Sequence, residues 1–437
     1  MLLMLTATAA AGKCPITFHG SEAAKVGILI RDIKSGRDIV NYNSHKLFSP
    51  ASTMKLVTSA AAISNSGPDF HYTTNIYSSG KLQGDTLCGD LIVETSGDPT
   101  LYSEHFPENA SLITDVRSRL KNLGINTIAG DIVISEHNPY DQGQVVTWEI
   151  DDLGYSYGAG YYNLNYADNI FTLHTADASA KPSIPGLQAE IEPTDGYYQR
   201  VHGINSSLYI LKGKSVMDPK NTAVLPMPYP ADAFALALSD SIEAAGISFV
   251  DGQPLTETDS IPLATAVSPS LEEILHSLMV RSDNMMAEST LRLMAPDGSH
   301  DDAIQNELKW YTDCGIDCSM IDIRDGSGLT RTNLLSPEFL ASVLKMMSES
   351  EQAEKYISLF PRAGVDGTMK SFLADSPLKG RLALKTGSMA HVRCYAGYLL
   401  DKKNKPSHIV IVMVNDYLCK TRELNKAIGD YLLNKLK

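Results

Sequence analysis

The chain has 437 residues and a formal charge of -14, which at roughly 100–200 residues per domain makes two to four domains. That surplus of acid excludes nucleic acid and anionic membrane as partners, because either needs a basic face to meet its phosphates, and is otherwise the mark of a solvated surface. Six cysteines (Cys14, Cys88, Cys314, Cys318, Cys394 and Cys419) with no pair of C-x-x-C motifs make neither a disulfide framework nor a metal site. Cys314 and Cys318 are either isolated thiols or a pair formed in an oxidising compartment.

The opening MLLMLTATAAAGKC runs from an apolar stretch into small residues with A-x-A spacing at Ala7/Ala9 and Ala9/Ala11. Residues 1–11 therefore read as the remnant of a signal peptide, and the protein as exported, although no basic residue precedes Leu2. Lys13 stands before Cys14 where a lipid-anchor signal needs a small side chain. Nothing further on has the roughly 18 uncharged apolar residues of a transmembrane span.

Residues 25–43 form two β-rich runs around Lys34-Ser35-Gly36, the pattern of a hairpin. In FSPASTMKLVTSAAAIS, Ser49 can serve as N-cap and Pro50 as the first residue of an Ala-rich helix. From about 79 to 264 the pattern changes to short strands with many Gly, Pro, Asp and Tyr and few long helical periods, which reads as inserted β-rich material. Within it, residues 181–216 look like a small all-β unit. Ser270 and Glu273 then make a capping box for a helix with Leu271, Ile274, Leu275 and Leu278 on one face. That period breaks at Arg281-Ser282-Asp283-Asn284, where a second helix begins, and Ser336-Pro337 start another.

LALKTG, VRCYAGYLL and HIVIVMVN read as three strands of an antiparallel meander, closed by an amphipathic helix. The fold class is mixed α/β (α+β), a five-stranded antiparallel sheet flanked by helices and assembled from both ends of the chain. Residues 14–78 and 265–437 make this discontinuous domain, 79–166 with 251–264 a second, and 167–250 a nested β-rich third.

A serine hydroxyl is a weak nucleophile until a base removes its proton, and a lysine three residues along a helix lies on the same face. Ser52 and Lys55 have that spacing, and a serine in a first helical turn has a backbone N–H free to face a developing oxyanion. Spacing alone is weak, since Ser78/Lys81, Ser342/Lys345 and Ser376/Lys379 share it. A cap with a surface lysine explains any one of them. What distinguishes Ser52 is its company in order, Ser282-Asp283-Asn284 at a helix break and Lys385-Thr386-Gly387 at a strand end, the motif set of class A β-lactamases and penicillin-binding proteins. Ser282 and Asn284 as helix caps, and Lys385 as a strand-edge charge, remain the plain structural alternatives.

Taken with SGDPTL (96–101), the Trp148-to-Gly160 segment, DGSGLTR (325–331), GVDGT (364–368) and the long insertion between Ser52 and Ser282, these motifs make the chain resemble the serine-type D-alanyl-D-alanine carboxypeptidase/endopeptidases of the penicillin-binding protein 4 (DacB) type. The resemblance implies a transpeptidase-like domain carrying the inserted domains, located in the periplasm or cell envelope of a bacterium, with no cofactor. It also implies peptidoglycan peptides as substrate and β-lactams as acylating inhibitors. Ser52 would be acylated, Lys55 would be the general base, Ser282 would pass a proton to the departing amine, and Asn284 would hold the substrate amide and orient Lys55. Lys385 would supply positive potential, Thr386 would bind the terminal carboxylate, and Ser388 would complete the oxyanion hole with Ser52. Gly387 would let the substrate backbone approach the strand.

By position, Asp152 and Arg331 would bind the distal end of a diaminopimelate side chain. A solvated loop acid, and an arginine paired with Asp325, are their alternatives. A β-lactamase or esterase using the same Ser-Lys chemistry, or an idle peptidoglycan-binding protein, also fits parts of the pattern.

Overall fold

Apolar runs at the two ends of the chain pair into one antiparallel sheet, with strands β1 (Lys25–Asp32), β2 (Asp38–Tyr42), β3 (Leu382–Met389), β4 (Val392–Leu400) and β5 (Pro406–Asn415) in the order β3-β4-β5-β1-β2. This is a computed structural model, and it describes residues 14–196, 198–214, 216, 221–252 and 260–436. The signal-peptide reading of residues 1–11 lies outside them.

Period-2 alternation gives the sheet two buried faces. Ile409, Ile411 and Met413 of β5 pack towards the helices α1 (Met54–Ser66), α2 (Leu271–Arg281) and α5 (Pro337–Glu349). Val410, Val412 and Val414 pack on the other side under Leu424, Ile428 and Leu432 of α6 (Thr421–Lys435). Between these lie α3 (Asn284–Leu291) and α4 (His300–Asp313). Helix α1 is buried nearly all round, and the hydroxyls of Tyr311 and Tyr356 donate to its Val57 and Leu56 carbonyls at 2.7 and 2.8 Å. The Ser270–Glu273 capping box and the Ser336 cap both form.

Two sequence-based expectations need correction. The first is the start of α1: Pro50 and Ala51 are not its first turn. Ala51 takes a left-handed φ of 45°, a short 3-10 turn spans Ala51–Thr53, and the α-helix begins at Met54. Among the described residues the Ser49 hydroxyl caps nothing and is buried without a hydrogen-bond partner.

The second concerns the insert, which contains two substantial helices, Leu112–Asn122 and Pro230–Glu243. Their buried residues, Leu112, Ile113, Val116 and Leu120 in one and Ala233, Phe234, Leu238 and Ile242 in the other, do follow a helical period. The surrounding turn residues conceal it.

Both helices share an apolar core with two four-stranded sheets. One of these joins Thr73–Ser79 to Ser260–Val267 and the other joins Ser248–Val250 to Thr127–Ala129. The strands Gln188–Glu192, Leu208–Lys212 and Gln199–His202 make a separate three-stranded sheet. Among the described residues no helix is long and apolar enough to cross a membrane.

Candidate active site

The turn carrying Ser52 is fixed from three directions. Asn415 at the end of β5 accepts the Ser49 N–H at 2.8 Å and donates to the Ser49 carbonyl at 3.2 Å, which ties the turn to the sheet. Gly328 and Gly387 close on it from either side. A Cβ at Gly328 (φ +79) would stand 2.0 Å from the Ala51 carbonyl oxygen, and one at Gly387 would stand 2.5 Å from that of Pro50. Only glycine admits such approach. The space that a side chain would take at Gly387 is filled by the turn that carries Ser52. The left-handed Ala51, costly in isolation, is held by these contacts, and among the described residues the Ser52 N–H makes no hydrogen bond.

Lys55, one step into α1, is fully buried. Its Nζ donates to Asn284 Oδ1 and to the Ser327 carbonyl, both at 2.6 Å, and lies 3.2 Å from Ser52 Oγ. Burial pulls its proton affinity down to about 8 against the opposing pull of Asp325, Glu288 and Asp283. Two N–H bonds to fixed acceptors leave the remaining tetrahedral position of the amine, the lone pair when it is neutral, facing the Ser52 hydroxyl.

The break between α2 and α3 delivers two side chains to the same place. Ser282 ends α2 in the left-handed conformation (φ 65) and accepts a hydrogen bond from Lys385 Nζ at 2.8 Å. Asp283 is the cap of α3, accepting the Met286 N–H at 3.0 Å, so neither Ser282 nor Asn284 serves that purpose. Asn284 accepts from Lys55 and donates to the Tyr157 carbonyl at 2.7 Å. Lys385, on the edge strand β3, is also fully buried. Burial, Lys55 and Arg393 push its proton affinity well below the ordinary lysine value. Thr386 Oγ1 bonds Thr368 Oγ1 of the GVDGT segment at 2.8 Å.

A cleft of about 370 Å³ opens over these residues, lined by Ser52, Ser282, Asn284 and Ser388 on its floor and by Asp152, Tyr157 and Arg331 towards its rim. Arg331 is paired with Glu149 at 2.6 Å and donates to the Ala390 carbonyl at 3.1 Å. It does not pair with Asp325, which is buried beneath. Asp152 accepts the Tyr157 hydroxyl at 2.9 Å, and partial burial raises its carboxyl.

Sequence reasoning gave no role to several residues that hold this geometry. Asp325 accepts the N–H groups of Gly328 and Thr330, the Asn333 amide and the Trp148 indole at 2.7–3.0 Å, and so folds the DGSG loop against the insert. Leu329 packs with Val145, Trp148 and Leu153 of that insert. An acid beside two glycines reads locally as a solvated turn, and the indole that donates to it comes from 177 residues away. The decoy Lys345 bonds Glu349 on its own helix, and Ser342 turns back to the Glu338 carbonyl.

A family model described as the D-Ala-D-Ala carboxypeptidase 3 (S13) family matches residues 17–430. The chain is 27% identical over 416 residues to the D-alanyl-D-alanine carboxypeptidase DacB of Haemophilus influenzae, covering 88% of this chain and 84% of that one. Against the D-alanyl-D-alanine carboxypeptidase of Actinomadura sp. it is 26% identical over 418 residues, with 86% and 76% covered. The crystal structure of penicillin binding protein 4 (dacB) from H. influenzae matches it with a TM-score of 0.79 at 25% identity over 97% of each chain. The same protein complexed with a β-lactam matches with 0.74 at 24% identity, again over 97% of each.

Proposed function

The chain belongs to the D-Ala-D-Ala carboxypeptidase 3 (S13) family and is a serine-type D-Ala-D-Ala carboxypeptidase, and from that premise we propose that Ser52 is the residue it acylates and Lys55 the base that activates it. The observation that carries this is the triple coordination of Lys55 Nζ by Asn284, Ser327 and Ser52. With its affinity pulled down to about 8, roughly a tenth of Lys55 is neutral at pH 7. That neutral amine accepts the Ser52 proton as Oγ attacks the penultimate D-alanine carbonyl.

The N–H groups of Ser52 and Ser388 receive the oxyanion, which in a dry site is worth far more than in water. Collapse breaks the C–N bond, and the proton reaches the departing amine through Ser282, which Lys385 touches at 2.8 Å. Water, deprotonated by the same Lys55, then hydrolyses the ester and returns Ser52. The substrate carboxylate, received by Thr386, brings a negative charge beside Lys385 and draws it back towards the ammonium form. Asn284 keeps Lys55 in place and offers its remaining amide hydrogen to the substrate. On the rim, Arg331 and Asp152 meet the carboxylate and amine at the end of a diaminopimelate-type side chain.

A β-lactam enters the same sequence, and its ring opening leaves a slow ester on Ser52. Peptidoglycan stem peptides lie outside the cytoplasmic membrane, so the enzyme works in the periplasm or cell envelope, in keeping with the A-x-A spacing near its start. A fluorescent penicillin should label the wild type covalently and leave Ser52→Ala unlabelled. Purified muropeptide monomers should lose one D-alanine by mass, and dimers should fall to monomers if cross-links are also cut. Labelling that survives Ser52→Ala would sink the nucleophile assignment.

A further inference from the structure

The peptide joining Gly326 to Ser327 is held between two helices. On one side α1 supplies Lys55, whose Nζ donates to the Ser327 carbonyl at 2.6 Å, and Thr58, whose hydroxyl donates to the Gly326 carbonyl at 2.9 Å. On the other side α3 supplies Glu288, one turn beyond Asn284 and fully buried. Its two carboxylate oxygens accept the Ser327 N–H at 2.9 Å and the Gly326 N–H at 3.2 Å. Asn284 and Glu288, at i and i+4, thus grip Lys55 together, one directly and the other through the Ser327 carbonyl. Gly326 makes this contact possible, since a Cβ there would stand 2.9 Å from the Ala287 carbonyl oxygen of α3.

We infer that Glu288 is a positioning residue for the general base, setting both where the Ser327 carbonyl holds Lys55 and how readily Lys55 gives up its proton. The inference rests on the assignment of Lys55 made above.

The charges that face Lys55 are Asp325 from the DGSG loop, Glu288 and Asp283 from α3 and its cap, and Lys385 from β3. Glu288 is faced in turn by Asp325, by His300 Nε2 at 3.9 Å, by Arg292 and by Glu307 of α4. Glu307 is fully buried, and neither of its oxygens has a hydrogen-bond partner among the described residues. Its carboxyl is pushed up to about 8 by burial and then by Glu288, so at neutral pH it is the uncharged member of the two. Burial and then Asp325 raise the Glu288 carboxyl as well, but both of its oxygens accept a backbone N–H, as only the carboxylate can in full, and in that form it favours the Lys55 ammonium.

The test is the pH dependence of Ser52 acylation by a chromogenic cephalosporin, measured on the full chain. Glu288→Gln removes the charge and turns an amide N–H against one of the backbone donors. It should slow acylation about tenfold or more and move the acid limb down by roughly 0.5 in pH. Glu288→Asp keeps the charge but withdraws the oxygens, and should slow acylation to a similar extent with the limb unmoved. A folded Glu288→Gln enzyme whose limb stays in place, however slow or unstable it is, overturns the inference. Should that variant fail to fold, Glu288→Asp decides, and acylation at the wild-type rate overturns it. A wild type that takes no label on Ser52 would sink the nucleophile assignment as well, whereas these outcomes on a labelled wild type sink only the role of Glu288.

Discussion

Beneath the floor of the cleft two lysines lie fully buried, each anchored by at least two hydrogen bonds. On the rim Arg331 and Glu149 form a pair with about a third and a half of their side chains exposed, and Asp152 is held by one tyrosine. An exposed pair of that kind is worth about 0–1 kcal/mol, so it is easily rearranged around a ligand. A buried ammonium without its acceptors would cost several times more. The floor is built to hold one geometry for the chemistry, and the rim to yield to a substrate. Changes on the floor should therefore act on acylation by every acyl donor, and changes on the rim only on donors that reach it.

The largest effect should come from Lys55→Ala, which removes the base and should slow acylation of Ser52 by a β-lactam roughly 10²–10⁴-fold. Stopped-flow fluorescence would measure it, and a loss below tenfold would move the base elsewhere. Next is Gly387→Ala. The added Cβ would stand 2.5 Å from the Pro50 carbonyl and 3.1 Å from the Thr53 nitrogen, so the nucleophile turn must shift, at a cost of about 10²-fold in acylation. Near-normal acylation would mean the turn is more compliant than its two glycines imply.

In the wild type the acid limb of acylation should lie near pH 8, because burial disfavours the Lys55 ammonium and brings the neutral amine within reach well below the ordinary lysine range. The rate should rise with pH through that value, and a limb near 10 would show Lys55 to be solvated. The smallest effect should be that of Arg331→Ala, raising KM for a stem peptide ending in a diaminopimelate-type side chain by about tenfold. Acylation by benzylpenicillin, which has no such group, should be unchanged. An equal loss with both would erase the division between floor and rim.

Much of the floor was legible in the sequence, because Ser52, Lys55, Ser282, Asn284 and the Lys385-Thr386-Gly387 run are short patterns that follow one another in order, beside a helix start, at a helix break and on a strand. The alternating strands at both ends of the chain, and the Ser270 and Ser336 caps, were legible for the same reason: the forces that form them act over a few residues. The helices Leu112–Asn122 and Pro230–Glu243 were missed because turn-forming neighbours outweighed a correct apolar period. The start of α1 was misplaced because nothing local announces a left-handed alanine.

By itself the sequence determined which residue types stand at which spacing, and hence the sheet, the helix breaks and a serine three residues before a lysine at the start of a helix. Only the tertiary structure decided what those groups can do. Lys55 is suited to act as a base because Asn284, 229 residues away, and Ser327, 272 residues away, occupy its N–H bonds, and because burial among them makes its charge expensive. Ala51 is held left-handed by Gly328 and Gly387, and Asp325 is a loop anchor because a tryptophan from the insert covers it. Hydrogen bonding and desolvation depend on what arrives from elsewhere in the chain, and no local pattern records who the neighbours will be.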